Sequence, residues 1–264
     1  MYTTKYHKPA SIDEAVAALA AGDEAKILAG GQTLLPTMKQ HLAEPTDLVD
    51  IRGIAGMSDI SASGGTLTIG AAATHAEVAA NADVMANCPA IAGLAAHIGD
   101  PAVRHMGTIG GSLANNDPAA DYPAAVLAMG ATIVTNSREI SADDFFDGLF
   151  ATNLDEGEVI TAVKIETGPR CGYAKFPNPA SRYAMVGVFV TNSGGDVRVA
   201  ITGAGDDGVY RDAALEAALS GDWSSSAVDS VEISADGLLS DMHADSDYRA
   251  NLIKVMAKRA VAAA

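Results

Sequence analysis

The residues of this chain best suited to a chemical role form one glycine-rich segment, Gly107-Thr108-Ile109-Gly110-Gly111-Ser112. Glycine has no Cβ atom, so its backbone can take positive φ angles and approach other groups closely. Backbone N–H groups that converge in this way bind anions, especially where a helix begins. Because three of residues 107–111 are glycine, we predict an irregular loop here, with a helix downstream over 118–129. The segment predicts a phosphate cradle, and a tight turn without a ligand is the alternative.

A second segment of the same type lies near the N-terminus. The run Ala25-Lys26-Ile27-Leu28-Ala29 has the composition of a buried strand, and Gly30-Gly31-Gln32-Thr33 follows it. We expect Thr33 to cap a helix over 34–42, with Pro36 accepted in the first turn. The segment contains neither the nicotinamide nor the Walker glycine pattern. Two such junctions indicate a ligand with adjacent phosphates, such as a dinucleotide, and a plain strand-to-helix turn is the alternative.

The elements that must position these two segments divide the chain into three parts. Residues 1–56 predict a β-α-β-α-β unit, whose first helix begins with a capping box formed by Ser11 and Glu14. The alternation of strands and helices favours parallel strands in this unit. Residues 57–166 predict a mixed sheet with helices, including a hairpin that turns at Gly64-Gly65.

The last part, residues 167–264, begins at the breaking sequence Thr167-Gly168-Pro169. Two alternating apolar runs predict strands over 184–190 and 197–202. Helices are expected over 211–220, 225–240 and 246–263. In the last helix the apolar residues share one face: Leu252, Ile253, Met256 and Val261. The last part is therefore predicted to be a small α+β domain.

The composition excludes several classes of function. The chain has 33 acidic and 17 basic residues, a net charge of −16, which repels nucleic acid and anionic lipid. Cys88 and Cys171 are too few for an iron–sulfur cluster or a cysteine-rich zinc site, and we expect inert, reduced thiols. His75 opens a helix with the capping box of Thr74 and Glu77, so we expect it to be exposed and without a ligand role. A redox reaction would therefore need an organic cofactor.

The sequence contains no recognisable membrane or secretory segment. No apolar run reaches the ~18–20 residues that cross a bilayer, and the N-terminus lacks the apolar region of a secretory signal. We expect a cytoplasmic protein that is not an integral membrane protein.

Both glycine-rich segments, with their surroundings, resemble the flavin motifs of the FAD subunits of molybdenum hydroxylases. The first motif corresponds to residues 29–36 followed by Leu48-Val49-Asp50-Ile51, and the second to residues 104–114 with Asp117-Pro118-Ala119-Ala120-Asp121. The resemblance continues through 173–186 to Tyr210-Arg211, and within the family it is nearest to the medium subunits of aerobic carbon monoxide dehydrogenases. It implies an α+β fold: a two-subdomain FAD-binding (PCMH-type) domain over 1–56 and 57–166, followed by a C-terminal α+β domain with an antiparallel sheet and helices.

The resemblance also implies non-covalent FAD, with its diphosphate held between the two segments. The residues that match the family's cofactor contacts are Ala29, Gly30, Gly31, Gln32, Thr33, Leu34, Thr108, Ile109, Gly110, Gly111, Ser112, Asp121, Ile160, Lys175 and Tyr183. It implies no catalytic or metal-binding residue in this chain. Asn115-Asn116 departs from the family, which has histidine or alanine there more often.

Four of these residues have implied roles beside the two segments, and each also has a structural interpretation. Asp121 would contact the nucleotide, or else it would be a first-turn acid whose charge interacts favourably with the dipole of its helix. Lys175 would stabilise the anionic reduced flavin, or else be a solvated lysine. Tyr183 would lie over the isoalloxazine ring, or else be a core tyrosine. Ile160 would make an apolar contact beside the ring, and it would pack in the core on either interpretation.

The function that the resemblance implies is electron transfer. A large molybdenum-cofactor subunit would oxidise the substrate, and a small iron–sulfur subunit would pass electrons to the FAD, within a dimer of heterotrimers. The flavin would reduce a quinone or another external acceptor, and the complex could associate peripherally with the inner membrane. The alternatives are a stand-alone FAD oxidase, a molybdenum hydroxylase for an N-heterocycle, aldehyde or xanthine, and an assembly subunit without flavin.

Overall fold

The computed structural model describes residues 2–264, and its first part is a small parallel sheet with two helices. The elements in chain order are β1 (Lys5–His7), α1 (Ile12–Ala21), β2 (Ala25–Leu28), α2 (Leu34–Lys39) and β3 (Asp47–Asp50). The strands pair in parallel in the order β1-β3-β2, which confirms the predicted β-α-β-α-β unit. The Ser11 side chain accepts from the Glu14 N–H at the start of α1, as the capping pattern predicts.

The second part is a five-stranded antiparallel sheet surrounded by short helices. Its elements are β4 (Ile60–Ser63), β5 (Thr66–Gly70), α3 (His75–Ala80), α4 (Ala82–Asn87), α5 (Pro89–Ala96), α6 (Pro101–Arg104), α7 (Ile109–Asn115), α8 (Tyr122–Ala128), β6 (Thr132–Thr135), β7 (Glu139–Ser141), α9 (Ala142–Phe145) and β8 (Ile160–Glu166). The strand order is β4-β5-β8-β6-β7. The β4–β5 hairpin turns at Gly64-Gly65, where both residues have positive φ, and this confirms the predicted hairpin.

The third part is a four-stranded antiparallel sheet with two helices. Its elements are β9 (Arg170–Pro177), β10 (Ala184–Ser193), β11 (Asp196–Thr202), β12 (Tyr210–Arg211), α10 (Ala213–Gly221) and α11 (Ser246–Ala263), with strand order β12-β11-β10-β9. The predicted strands omit β9. The predicted apolar face of α11 is buried, which confirms that helix.

The helix predicted over 225–240 is wrong. Only a short 3-10 turn, Ala227–Ser230, forms there. The Ser224 side chain bonds to Asp222 and Ser226, and Gly237 takes a positive φ. Serine and aspartate side chains compete with the helical backbone for hydrogen bonds, so this segment folds as turns.

The third sheet packs between two helical layers. One face, with Val186 and Val188, forms a core with α10 and α11. The other face is fastened to α8 by hydroxyl groups: Thr202 Oγ1 donates to the Ala120 carbonyl at 2.6 Å, and Thr191 Oγ1 donates to the Ala128 carbonyl at 2.9 Å. This packing places the start of α8, with Asp121, beside strand β9. Within residues 2–264, the helices are all too short or too polar to cross a bilayer.

Candidate functional site

A cleft of about 840 Å³ lies where the first part, the helices of the second part and the segment before β10 meet. Both glycine-rich segments line it. Of the residues that the sequence singles out, Asp121, Ile160 and Tyr183 also line the cleft, whereas Ile109 and Lys175 do not. The fold therefore brings together segments that are separated by about 80 positions in the chain and places them on the same cleft.

The first segment presents a row of free donors to this cleft. The backbone N–H groups of residues 30–34 bond to no other residue of 2–264. Gly31 has a φ of +68°, which favours glycine, and its carbonyl accepts the Leu35 N–H that opens α2. Successive unpaired N–H groups in a turn form a concave anion site. The first segment therefore has the predicted amide cradle.

The predicted capping role of Thr33 is wrong. Thr33 occupies the N-cap position of α2, but its side chain makes no capping hydrogen bond, and its backbone is helical with φ −104° and ψ −53°. The hydroxyl is exposed at the cleft, where a ligand can bond to it.

The second segment differs from the predicted irregular loop, because α7 begins inside it. Thr108 caps the helix, and its Oγ1 accepts the Gly111 N–H at 3.1 Å. The N–H groups of Gly107, Ile109, Gly110 and Ser112 also bond inside the protein, to carbonyls of Val103, Ala73, Ala71 and Thr108. The prediction of converging free N–H groups is therefore wrong for this segment. It presents the Thr108 N–H and the Ser112 hydroxyl, both without a partner in residues 2–264.

The glycines of the second segment serve close packing instead. A Cβ atom on Gly110 would lie 2.6 Å from Ala71 Cβ, and one on Gly107 would lie 2.6 Å from His75 Nε2. In the first segment, a Cβ on Gly30 would lie 2.1 Å from the Met106 carbonyl oxygen. The contact at Gly30 joins the two segments directly, because the Gly107 Cα lies 2.6 Å from the same Cβ position, and a larger residue would force them apart.

Asp121 lies at the wall of the cleft and is held from behind by two residues of β9. The Lys175 ammonium lies 2.9 Å from the Asp121 carboxylate, and the Tyr173 hydroxyl donates to it. Lys175 also donates to the His97 carbonyl at 3.0 Å. Burial raises the pKa of Asp121, and the Lys175 charge opposes this shift. The side chain of Lys175 is only 6% exposed, so the alternative of a solvated lysine is wrong.

The position of Tyr183 excludes one of its two interpretations. Its side chain is 44% exposed at the edge of the cleft, so the core-tyrosine alternative is wrong. Ile160 lines the cleft and is buried in the main core, as expected. Asp121 stands at the N-cap position of α8 without a capping bond, and its ion pair with Lys175 is its main contact.

The predicted exposure of His75 is wrong. The predicted capping box of Thr74 and Glu77 is present, yet His75 is only 5% exposed and lines the cleft. Burial, aided by the charge of Arg104, lowers its pKa to about 4, and its Nδ1 has no hydrogen-bond partner within residues 2–264. The sequence signal that could have predicted the burial of His75 is the apolar run that precedes its helix, residues 71–73, all of which are buried.

A second residue that the sequence did not single out is Glu158, which also lines the cleft. Its carboxylate accepts from Arg138 Nε at 3.0 Å and Nη2 at 2.9 Å, and from the Thr135 hydroxyl at 2.6 Å. These bonds, with Arg138 first, lower the pKa of Glu158 to about 2 despite its burial. The network anchors the residues that lead into β8, and with them Ile160.

These residues fit FAD. A pocket of several hundred Å³ with apolar walls and a few polar groups is typical of cofactor sites. The walls are apolar at Ile98, Val103, Leu154 and Ile160, and the free N–H groups of residues 30–34 supply neutral donors for a diphosphate. Lys26 and Arg182 are the lysine and arginine residues that line the cleft within residues 2–264.

Comparison with known proteins gives the family. The family model for the FAD binding domain in molybdopterin dehydrogenase matches residues 2–167. The nicotine 6-hydroxylase medium subunit of Paenarthrobacter nicotinovorans is 34% identical over 271 residues, 97% of this chain and 95% of that one. The carbon monoxide dehydrogenase medium chain of Hydrogenophaga pseudoflava is 33% identical over 276 residues, 98% of this chain and 96% of that one.

The fold matches a solved structure as well. This is the carbon monoxide dehydrogenase from Hydrogenophaga pseudoflava that lacks the Mo-pyranopterin moiety of its molybdenum cofactor. The TM-score is 0.90 at 35% identity, and the match covers 100% of this chain and 97% of that chain. The family resemblance and the FAD cofactor predicted from the sequence are thereby confirmed. The chain belongs to the FAD-binding family of the molybdopterin dehydrogenases and is an FAD-binding oxidoreductase subunit.

Proposed function

We propose that this chain is the electron-transfer subunit of a molybdenum-containing hydroxylase or dehydrogenase of the carbon monoxide dehydrogenase type. Electrons would arrive from iron–sulfur clusters of a small partner subunit and leave through FAD to an external acceptor. The observation that carries this proposal is the cleft between the two glycine-rich segments, with free amides at residues 30–34 and the held carboxylate of Asp121. Bound FAD supplies the electron chemistry, since it exchanges electrons singly or in pairs.

The residues of the cleft divide the work of holding such a cofactor. The N–H groups of residues 30–34, with the Thr108 N–H and the Ser112 hydroxyl, would bond the diphosphate. Asp121 would orient the nucleotide, and Lys175 would act on it through Asp121 because Lys175 does not line the cleft. Ile160 and Tyr183 would cover the ring and exclude water from one side.

We propose residues 1–56 and 57–166 as the two subdomains of the FAD-binding domain and 167–264 as the C-terminal domain. Support comes from the sheets, because each of the three sheets lies within one of these ranges. The names of the relatives, medium subunit and medium chain, support a complex with larger and smaller partners. We propose a large molybdenum subunit and a small iron–sulfur subunit, in a dimer of heterotrimers that is cytoplasmic, with peripheral contact to the inner membrane.

A second candidate is a complex that hydroxylates an N-heterocycle. The observation that favours it is the nicotine 6-hydroxylase medium subunit, which at 34% identity is as similar to this chain as the carbon monoxide dehydrogenase medium chains are, at 33% and 34%. The two candidates share the same role for this chain, because the substrate would bind in the large subunit. A stand-alone FAD oxidase is the remaining alternative.

The test is purification of the chain with its natural partners, followed by anaerobic mixing with carbon monoxide or with a pyridine-type heterocycle. We expect molybdenum, iron and FAD to copurify, and one of the two substrates to bleach the flavin absorption. The control is a complex that carries Gly30→Ala, in which substrate should still reduce the iron–sulfur clusters while reduction of the acceptor is lost. A chain that purifies without partners and oxidises a substrate by itself would contradict the proposal.

A further inference from the structure

Strand β9 carries three reactive side chains on one face. Residues at alternate positions of a strand point to the same side, so Cys171, Tyr173 and Lys175 share a face. Tyr173 and Lys175 contact Asp121 at the wall of the cleft. Cys171 lies about 13 Å along the same strand from Lys175, at ~3.3 Å per residue, and contacts the second part of the chain at a different place.

Cys171 contacts the other cysteine of the chain, Cys88. The two sulfur atoms lie 3.5 Å apart, and both thiols are free. Cys88 stands at the junction of α4 and α5, where it is 1% exposed. The sequence does not predict this contact, because the two residues are 83 positions apart in the chain.

The two thiols differ in reactivity. Hydrogen bonding from Cys88, helped by the backbone N–H of Ala90, lowers the pKa of Cys171, whereas the same contact and burial raise the pKa of Cys88. Cys171 is partly exposed and Cys88 is buried. A thiolate that solvent reaches is the nucleophile in thiol oxidation, and a neighbouring thiol then resolves the product.

We propose that Cys88 and Cys171 are a redox-active pair that hydrogen peroxide converts to an intramolecular disulfide. The Cys171 thiolate attacks one peroxide oxygen and the O–O bond breaks, which gives a sulfenic acid on Cys171 and hydroxide. The Cys88 sulfur then attacks the Cys171 sulfur, and the departing hydroxide takes the Cys88 proton and leaves as water. The sulfur pair loses two electrons, and peroxide is reduced to two molecules of water.

The geometry requires little movement for this reaction. A disulfide has an S–S distance of about 2.05 Å, so the two sulfur atoms must approach by roughly 1.5 Å. The helix α5 already packs against β9 and brings the two residues together. The bond would tie the α4–α5 junction to the strand that holds Asp121, and it would slow the separation of the second and third parts, both of which line the cleft. This second consequence rests on the proposed FAD site, whereas formation of the disulfide does not.

The experiment uses the FAD-loaded chain, reduced with dithiothreitol, freed of reductant and exposed to peroxide. The chain has two cysteines, so thiols titrated in denaturant report directly on the pair. We expect both thiols to disappear, the mass to fall by two hydrogen atoms, and a non-reducing peptide map to link the peptides that contain Cys88 and Cys171. In Cys88→Ala, peroxide should leave a sulfenic acid on Cys171 that dimedone traps, and in Cys171→Ala the buried Cys88 should stay reduced.

Three results would overturn the proposal: two thiols that persist after peroxide, sulfinic acid without a cross-link, or disulfide-linked dimers of the chain. The consequence for the cofactor has its own readout. FAD should leave the oxidised chain several-fold more slowly than the reduced chain, with no such difference in Cys88→Ala. Equal rates of FAD release from the oxidised and reduced wild-type chain would overturn the proposed effect of the disulfide on the cofactor, even where the proposed electron transfer holds.

Discussion

Gly30 is the residue at which the two glycine-rich segments come closest. A Cβ atom there would lie 2.1 Å from a backbone oxygen, that of Met106, and backbone cannot move aside as a flexible side chain can. We predict that Gly30→Ala separates the segments, destabilises the fold by about 1–3 kcal/mol and abolishes stoichiometric FAD. The measurement is the free energy of unfolding together with the FAD content of the purified chain.

Gly93 provides the matched control for that substitution. It is an exposed glycine inside α5, and a Cβ atom there would meet nothing within 4 Å. Gly93→Ala should stabilise the helix by about 0.5–1 kcal/mol and leave the FAD content unchanged. Equal FAD content in the two variants would show that the close approach at Gly30 has no part in binding.

Asp121 and Lys175 form a buried ion pair, so removal of one charge leaves the other without compensation. We predict that Asp121→Asn and Lys175→Met each destabilise the fold by about 3–5 kcal/mol, and that the double variant loses much less than the sum. Urea unfolding of the four proteins measures this coupling. The exposed pair Lys164 and Glu139 is the control, where coupling should stay below about 1 kcal/mol. Additive losses at the buried pair would refute the account.

His75 makes the stability depend on pH. Its pKa is about 4 in the folded chain against 6.5 for the free side chain, so the unfolded state takes up a proton at higher pH. Stability from this residue is fully present above pH ~6.5 and is lost as pH falls towards ~4, by up to roughly 3 kcal/mol. Unfolding free energies across this window should fall less in His75→Asn than in wild type, and exposed His105→Asn should match wild type. Identical pH profiles for all three proteins would contradict this assignment.

For single residues, types and spacing in the sequence predicted which segments line the cleft but not which of their N–H groups are free to bind a ligand. The amides of the first segment are free, as the pattern of glycines indicates. The second segment has three glycines against two in the first, yet its amides bond to Ala71, Ala73 and Thr108. Ala71 and Ala73 belong to a loop more than 30 positions away, so no local rule could reveal that the N–H groups of Ile109 and Gly110 are already used.

Helix α7 begins at the candidate site, because its N-cap residue, Thr108, lines the cleft. Its cap, Thr108, accepts the Gly111 N–H while Thr108 itself lines the cleft. We predict that Thr108→Val costs about 1 kcal/mol through loss of the cap and also weakens FAD binding. The control is Ser11→Ala, which removes the cap of α1 at a residue that does not line the cleft and should cost about the same with FAD binding unchanged. Unfolding and FAD titration of both variants test this, and unaltered FAD affinity in Thr108→Val would show that the side-chain cap has no part in binding.

Elements governed by local rules were predictable. The hairpin at Gly64-Gly65, the capping of α1 and α3, and the buried face of α11 all depend on residues within a few positions of one another. Strand β9 was missed because Tyr173 and Lys175 interrupt its apolar pattern, and their partner Asp121 lies more than 50 positions away. The polar segment over 225–240 failed as a helix because its serine and aspartate side chains bond locally.

For the whole molecule, the central question is how a chain with net charge −16 holds a diphosphate. We propose that neutral backbone donors hold it, since long-range repulsion is screened within about 10 Å at ordinary salt while hydrogen bonds act at contact. The parallel unit supplies the cradle, the antiparallel sheet supplies the wall at Ile160, and the C-terminal sheet holds Asp121 from behind.

The measurement that tests this most directly is titration of the flavin-free chain with FAD and with riboflavin, followed by quenching of flavin fluorescence. Riboflavin carries the same ring without the diphosphate and the adenosine. Because hydrogen bonds to a charged group contribute ~1.5–3 kcal/mol each, FAD should bind at least about a hundred-fold more tightly than riboflavin. Equal affinity for the two ligands would contradict the claim that the free amides of residues 30–34 hold the diphosphate.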